Sequence, residues 1–246
     1  MFWKRFNKNG VIKTLKTAIV HDWFHSISGA EKVVEAIYQL YPSKVYTLIK
    51  NPKNLEGFGI PDQDIVTSFV QRLPLAKTKY PYYLPLFPFA MENFNLSDAD
   101  LIISSSSCVA KGVLTHSNQL HICYCHTPMR YIWDLYFDYI TTHRLDRGVK
   151  GALTKLLLHR LRNWDLLHAG RVDYFIANSK NVAKRIEKIY RRRAEVIYPP
   201  VDCRYFSEGK RSDGGFYLTA ARLVPYKKVD LVIRAFARLR DRRLVL

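Results

Sequence analysis

The sequence predicts an α/β protein in which helices cover a parallel β-sheet, followed by the start of a second unit of the same kind. Short apolar runs that end in polar or glycine-containing turns alternate with longer segments of helical periodicity, which is typical of repeated βαβ units. In addition, 48% of the 246 residues are hydrophobic, so the chain can bury a substantial core.

The predicted elements of the first unit follow one another in a regular order. A strand at Thr17–Val20 is followed by a helix at Gly29–Leu40, whose apolar residues recur on one face. Further strands are predicted at Lys44–Ile49, Ile65–Val66, Leu101–Ser104, Leu120–Cys125, Tyr174–Ala177 and Glu195–Tyr198, and further helices at Gly151–His168 and Asn181–Tyr190. The segment Arg72–Asn95 is rich in proline and aromatic residues and has no clean period, so its structure is not predicted.

A polar, glycine-containing stretch at Ser207–Gly215 predicts a linker that separates a domain at 1–206 from a second domain at 207–246. The second domain is expected to contain the strand Phe216–Thr219, the helix Lys228–Leu239 and the strand Leu244–Leu246. One βαβ unit cannot bury both faces of a parallel sheet, so we expect this domain to be cut off before it is complete. A small natural cap that packs on the first domain is the alternative.

The chain is strongly basic, with 39 Lys and Arg against 21 Asp and Glu and a net charge of +18. This excess predicts attraction to an anion, which can be nucleic acid, a phosphorylated small molecule or an acidic bilayer. The basic residues are scattered and form no nucleic-acid-binding motif, so we expect no nucleic-acid partner. A non-catalytic interaction module stays open as a further alternative.

No segment has the length of a transmembrane helix, because the longest uncharged stretch of aromatic and aliphatic residues, Pro81–Met91, is about half the roughly 20 residues required. The basic segment 1–16 lacks the apolar run of a secretory signal and is interpreted as an N-terminal arm, so we expect a cytoplasmic protein. No metal is expected, and the cysteines, which lack metal-binding spacing, are expected to be buried reduced thiols: Cys108, Cys123, Cys125 and Cys203.

Polar residues directly follow several predicted strands, at the sheet edge where ligands bind in open parallel sheets. These residues are His21 and Asp22, Ser104–Ser107, His126 and Thr127, and Asn178 and Ser179. His126 ends an apolar strand and precedes Thr-Pro, so its ring is expected to point into a cleft. The adjacent His21 and Asp22 have an alternative interpretation as a turn in which the two side chains satisfy each other.

The start of the first helix, Ser28-Gly29-Ala30-Glu31, has two interpretations. In one, the small residues Gly29 and Ala30 let a ligand approach the backbone N–H groups at the positive end of the helix. In the other, Ser28 is the N-cap and Glu31 completes a capping box.

In the second unit, Arg222, Lys227 and Lys228 gather at the N-terminus of the predicted helix. The helix dipole repels positive charge there unless an anion lies between, so this arrangement indicates a diphosphate site. Solvated cations on a loop are the alternative, since the repulsion amounts to at most about 1 kcal/mol.

In their order, these motifs resemble the family 4 glycosyltransferases of the GT-B architecture, especially bacterial mannosyltransferase-like members. The resemblance covers residues 17 to 246. It rests on VHDW at 20–23, GAEKV at 29–33, ADLIISSSSCVAKGV at 99–113, CHTPMRYIWD at 125–134, FIANSKNVAKRI at 175–186, VIYPPVD at 196–202 and ARLVPYKKVDLVIRAF at 221–236. Most of these motifs are weak singly, and their order makes the match specific.

The resemblance implies two Rossmann-like domains, with an acceptor held by the first, a nucleotide-sugar held by the second, and transfer with retention of anomeric configuration. It implies that His126 lies near the transferred sugar and that Arg222 and Lys227 contact the donor diphosphate, with Lys228 in place of a common glycine. The other residues expected at the cleft are Gly29, Ala30, His21, Asp22, Ser104, Arg130, Asn178 and Ser179. The implied donor is GDP-mannose, the acceptor is a glycan or polyprenyl-linked molecule, and no metal or other cofactor is implied.

Three further expectations follow from the resemblance. The family's pair of glutamates that holds the donor lies beyond residue 246, so we expect the 246-residue chain to be inactive. The basic aromatic region Arg72–Phe94 is expected to contact an anionic membrane at its inner face and to admit a lipid-linked acceptor. Finally, His126 and the cluster of Arg222 and Lys227 are expected to face each other across one crevice.

Overall fold

A parallel sheet of seven strands forms the centre of the first unit in the part of the chain that the computed structural model describes, which is residues 15–203, 205, 214–221, 223–224, 227–239 and 241–246. The chain divides into two compact units, and the second begins at Val201. The predicted boundary after residue 206, the linker residues 207–213 and most of the predicted N-terminal arm lie outside the described residues.

The strands are β1 (Thr17–His21), β2 (Lys44–Thr47), β3 (Ile65–Thr67), β4 (Leu101–Ser106), β5 (Leu120–Cys125), β6 (Tyr174–Ala177) and β7 (Ala194–Val196). They lie in the order β3-β2-β1-β4-β5-β6-β7, and all neighbours are parallel. The chain builds outward from β1 to β3 and then returns to place β4 on the other side of β1. The carboxyl ends of β1 and β4 therefore form a topological switch point, where open α/β sheets bind ligands.

The helices of the first unit are α1 (Gly29–Leu40), α2 (Ala76–Lys79), α3 (Phe87–Glu92), α4 (Tyr136–Thr142), α5 (Gly148–Ala169) and α6 (Lys180–Tyr190). The bounds of α1, β5 and β6 coincide with the predicted ones, and α5 begins three residues before the predicted Gly151. The proline-rich segment forms α2, α3 and 3₁₀ turns at Phe69–Arg72 and Tyr80–Leu86. Pro81, Pro85 and Pro88 fix φ in the helical range but remove N–H donors, so the helical segments stay short.

Both faces of the sheet are buried, which explains why the central strands β1 and β4 contain consecutive apolar residues, Ala18–Val20 and Leu101–Ile103. Successive side chains of β1 and β4 enter different clusters, as expected from the period of two in a strand. Val20 and Ile102 pack in one cluster with residues of α3 and α5, whereas Ile19 packs on the other face against Val34 of α1. Cys123 and Cys125 pack against α6. Cys108, Cys123 and Cys125 are buried free thiols as predicted, whereas the free thiol of Cys203 is exposed, so the prediction that it is buried is wrong.

A buried ion pair joins the loop after β4 to α5. Lys111 Nζ contacts Asp165 Oδ1, and the two side chains are 2% and 0% exposed. Further hydrogen bonds stabilise both partners: Asp165 accepts from Trp133 Nε1 at 2.8 Å and from the Tyr190 hydroxyl at 2.9 Å, and Lys111 Nζ donates to the Cys108 carbonyl at 3.1 Å. The pair therefore connects the β4–β5 loop, the β5–α4 loop, α5 and α6.

The second unit contains the predicted strand–helix–strand order. Within its described residues, β8 (Phe216–Leu218) pairs in parallel with β9 (Arg243–Val245), and α7 (Val229–Phe236) connects them. Most of its large apolar side chains are exposed, for example Tyr217 and Leu231. The predicted α/β class, a parallel-sheet domain followed by a βαβ unit, is confirmed. Among the described helices of both units, none combines the length and apolar character needed to cross a bilayer.

Candidate functional site

Three side chains meet at the switch point of the first sheet, and hydrogen bonds connect them. The strand register pairs His21 of β1 with Ser105 of β4, and His126 directly follows β5. His21 Nδ1 lies 3.1 Å from the Ser105 carbonyl oxygen and 3.2 Å from its Oγ. Ser105 Oγ in turn lies 2.8 Å from His126 Nε2. The carboxyl ends of β1, β4 and β5 thus present one continuous polar cluster.

Glu31, in the first turn of α1, extends this cluster on the side of His21 that faces away from Ser105. Its Oε1 lies 3.6 Å from His21 Nε2, and both side chains are buried. Its Oε2 accepts hydrogen bonds from the Ser28 backbone N at 2.9 Å and from Ser28 Oγ at 2.5 Å. Burial raises the pKa of Glu31, but the interaction with His21 and the bonds from Ser28 hold that pKa below its ordinary value. A buried carboxylate therefore faces His21.

The capping-box interpretation of Ser28 and Glu31 is confirmed by these contacts. Ligand access at the same helix end stays a prediction that the geometry permits. Gly29 is exposed, and a Cβ added there would meet no atom within 4 Å, while Ala30 is half-buried beside it. One short motif thus both caps α1 and leaves open space over its first backbone N–H groups.

His126 is held rigidly at the edge of the sheet. Its backbone N donates to the Ser106 carbonyl at 2.9 Å, and its carbonyl accepts from Asn178 Nδ2 at 3.0 Å. Burial lowers the pKa of His126 to about 4, and the nearby His21 acts in the same direction. Its Nδ1 makes no hydrogen bond to any described residue. The ring is therefore a neutral hydrogen-bonding group at pH 7 with one nitrogen unused within the described fold.

The residues after β6 support His126. Asn178 contacts it as described, and Ser179 Oγ donates to Asn178 Oδ1 at 3.1 Å while accepting from Val182 N at 3.2 Å as the N-cap of α6. Ser179, predicted at the cleft, thus orients Asn178 and starts a helix. The predicted Arg130 is half-buried in the loop between β5 and α4.

The prediction that Asp22 lies at the cleft is corrected by its surroundings. Its side chain is 1% exposed, and its two oxygens accept from the backbone N atoms of residues 107–110 at 2.6 to 2.8 Å and from Ser107 Oγ at 3.0 Å. The alternative, a turn in which His21 and Asp22 satisfy each other, is also wrong. His21 contacts β4, whereas Asp22 holds the loop after β4.

The prediction for Ser104 is corrected as well, because this side chain lies on the opposite face of β4. It is fully buried, and its Oγ lies 2.8 Å from Nε2 of His121. Burial lowers the pKa of His121 to about 4, so the pair is a neutral contact inside the core. Ser105, the next residue, belongs to the cluster instead. Strand alternation from Ile103 would have separated the two serines, but only the β1–β4 register places Ser105 beside His21.

The predicted diphosphate cations lie in the second unit. Arg222 is outside the described residues, and Lys227 and Lys228 are exposed immediately before α7. Lys228 has a φ of 53°, in the left-handed region that favours glycine. The resemblance implies a glycine at this position, and this backbone conformation would suit one. The diphosphate role of the three cations stays a prediction.

Two surface pockets lie at the amino ends of the strands, on the edge of the sheet opposite His126. One, of about 530 Å³, is lined by Leu114, Thr115, His116, Ser117, Gln119, Arg171 and Asp173. The other, of about 260 Å³, is lined by residues around Lys16, Lys44 and Asn95. Neither contains a predicted cleft residue.

Within the described residues, no group of three or more His, Cys, Asp and Glu side chains is placed to hold a metal ion, and the expectation of no metal stays a prediction.

The fold and the polar switch point define a Rossmann-like domain of the kind that binds ligands at its carboxyl edge. The sequence matches the model of Glycosyltransferase Family 4 over residues 27–205, which is most of the chain. The chain therefore belongs to Glycosyltransferase Family 4, as predicted, whereas the mannosyl specificity stays a prediction. None of the curated proteins compared with the chain matches it significantly.

Two solved structures share this fold at low sequence identity. They are crystal structures of Anabaena Alr3699/HepE, one in complex with UDP-glucose and one with UDP, with TM-scores of 0.55 and 0.52. Each is 14% identical to the chain, and they cover 90% and 91% of it. The chain spans 57% and 58% of their length. At this identity the likeness shows a common fold alone.

Proposed function

We propose that the first unit is the acceptor-side domain of a glycosyltransferase, which moves a hexose from a nucleotide-sugar to a glycan or lipid-linked acceptor, and that the second unit belongs to the donor side. The observation that carries the proposal is the cluster of His21, Ser105 and His126 at the switch point of a family 4 fold. The complexes of HepE with UDP-glucose and UDP support a nucleotide-sugar as the donor class.

The proposed chemistry divides between the two units. Breaking the bond between the sugar and the diphosphate develops negative charge on the leaving group, and cations fixed beside it stabilise the transition state more than the ground state. We assign that role to Arg222 and to Lys227 or Lys228. In the first unit, the neutral His126 would hydrogen-bond a hydroxyl of the transferred sugar and so orient it. We further propose retention of configuration and GDP-mannose as the donor.

A panel of nucleotide sugars tests the proposal. The complete reading frame that contains these residues is incubated with GDP-mannose, UDP-glucose and other donors, together with a polyprenyl-phosphate-linked acceptor, and transfer is followed as release of the nucleoside diphosphate. We expect acceptor-dependent release with one donor, with GDP-mannose the first candidate. Absence of both release and saturable binding for every donor would overturn the proposal.

We also propose that the surface of Arg72–Phe94 contacts an anionic membrane on its inner face. Its cations Arg72, Lys77 and Lys79 are exposed beside apolar side chains, of which Tyr82 is 80% and Phe89 61% exposed. Exposed aromatic residues next to cations suit the interface of a bilayer that carries acidic lipids.

Co-sedimentation with vesicles tests this membrane contact. We expect the protein to bind vesicles with acidic lipid and to bind neutral vesicles weakly. We expect the double variant K77E/K79E to lose about 30-fold in affinity or more, since two cations near the surface contribute about 1 kcal/mol each. The matched control is K184E/K188E on α6, which changes the net charge equally at another exposed site. Equal losses in both variants, or binding that is indifferent to lipid charge, would contradict the proposal.

A further inference from the structure

The hydrogen bonds in the cluster at the switch point have a fixed direction. The Ser105 carbonyl determines which group donates. The backbone oxygen of Ser105 can only accept a hydrogen bond, and it lies 3.1 Å from His21 Nδ1. Nδ1 of His21 therefore carries a proton and donates it. The same N–H also points toward Ser105 Oγ at 3.2 Å, so this hydroxyl oxygen accepts from His21.

The direction of the next bond follows from the one proton of the Ser105 hydroxyl. Ser105 is fully buried, and the nearest acceptor for its proton among the described residues is His126 Nε2 at 2.8 Å. If His126 Nε2 were protonated, two N–H donors would converge on Oγ and the hydroxyl proton would lose this partner, which is costly in a buried site. Nε2 of His126 therefore accepts, and a neutral ring that accepts at Nε2 carries its proton on Nδ1.

We infer that His21 and Ser105 are positioning residues that fix His126 in the Nδ1–H tautomer, so that Nδ1 serves as a hydrogen-bond donor to the sugar during transfer. Glu31 holds the far side of His21, with Oε1 3.6 Å from Nε2. This inference rests on the proposed function only for the identity of the group that Nδ1 contacts. We call the hydrogen bonds from His21 through Ser105 to His126 the relay. Its direction is a property of the folded chain itself, since these three side chains and Glu31 lie in the first unit.

The tautomer can be measured directly by ¹⁵N NMR of the histidine side chains, because a protonated and a bare ring nitrogen have widely separated shifts. His126 signals are assigned by their loss in H126N. In the wild-type protein at pH 7 we expect a protonated Nδ1 and a bare Nε2. In S105A the donor to Nε2 is lost, and we expect a shift toward the Nε2–H form that free histidine side chains prefer.

S104A is the matched control, since Ser104 is the neighbouring buried serine on the opposite face of β4 and contacts His121. We expect it to change the His121 signals and to leave those of His126 unaltered. A wild-type His126 with Nε2–H, or an unaltered tautomer in S105A, would overturn the relay. The wild-type spectrum, assigned with H126N, decides the first point, so the test does not depend on the folding of S105A or S104A.

Rates of sugar transfer distinguish a failure of the relay from a failure of the proposed function. In the complete reading frame we expect S105A to lower kcat by about tenfold, the loss of one hydrogen bond, with little change in KM for the donor. An unchanged kcat in S105A would contradict a positioning role. If the wild-type protein transfers no sugar while its His126 still shows Nδ1–H, the proposed function fails and the relay stands.

Discussion

Replacing Lys111 with methionine is expected to lower the free energy of unfolding by about 3–5 kcal/mol, the largest loss of stability that we predict. The substitution removes the cation from a fully buried pair and leaves the Asp165 carboxylate without a counter-charge in the core. The hydrogen bonds from Trp133 and Tyr190 stabilise Asp165 but do not neutralise it. Equilibrium denaturation in urea measures the change.

Two control variants separate the buried charge from the loss of a side chain. K111M/D165N carries no charge at the site, and we expect it to regain at least half of the lost stability. K32M breaks the exposed pair of Lys32 with Glu35 on α1 and is expected to cost less than about 1 kcal/mol. The account is contradicted if K111M costs no more than K32M.

Replacing His126 with alanine is expected to lower the rate of sugar transfer by about 10²-fold, because a preorganised hydrogen bond to the reacting sugar is lost. The variant should fold normally, since the imidazole lies at the edge of the sheet rather than within its core. The control is H143A, which removes an exposed imidazole at the end of α4. A rate for H126A within twofold of that for H143A would exclude a direct role.

The pH dependence of the same comparison reports the protonation state of His126. Burial lowers the pKa of His126 to about 4, so the ring stays neutral from pH 5.5 to pH 8. We therefore expect the ratio of wild-type to H126A rates to be constant over that range. A ratio that falls as the pH drops through about 6.5, the ordinary histidine value, would show that the ring titrates normally.

The order of the elements was predictable because each depends on local sequence. The apolar face of α1 and the apolar runs of β5 and β6 gave bounds that the structure reproduces. α4 was not predicted, since Tyr136–Thr142 is too short to show a helical period. In Arg72–Asn95 the prolines interrupt every period, and the helical segments that form are only a few residues long.

Only one rule predicted residues of the candidate site. It says that the carboxyl ends of parallel strands lie at the same edge of the sheet, where ligands bind. This rule identified His21, His126 and Asn178, which the structure brings together. It did not show that Ser105, and not Ser104, lies beside His21, because that choice depends on the register of β1 and β4. Asp22 shows a second limit: its partners are 85 to 88 residues away in sequence, and no local pattern indicates that a loop will fold over its carboxylate.

We propose that sugar is transferred at the carboxyl edge of the first sheet, against His126. A crystal structure of the complete reading frame with an unreactive analogue of the accepted nucleotide-sugar measures this directly, as the distance from His126 Nδ1 to the nearest sugar oxygen. We predict a hydrogen-bond distance of about 3 Å. A sugar bound elsewhere, for example in the pocket lined by His116 and Asp173, with no atom in contact with His126, would contradict transfer at this edge of the sheet.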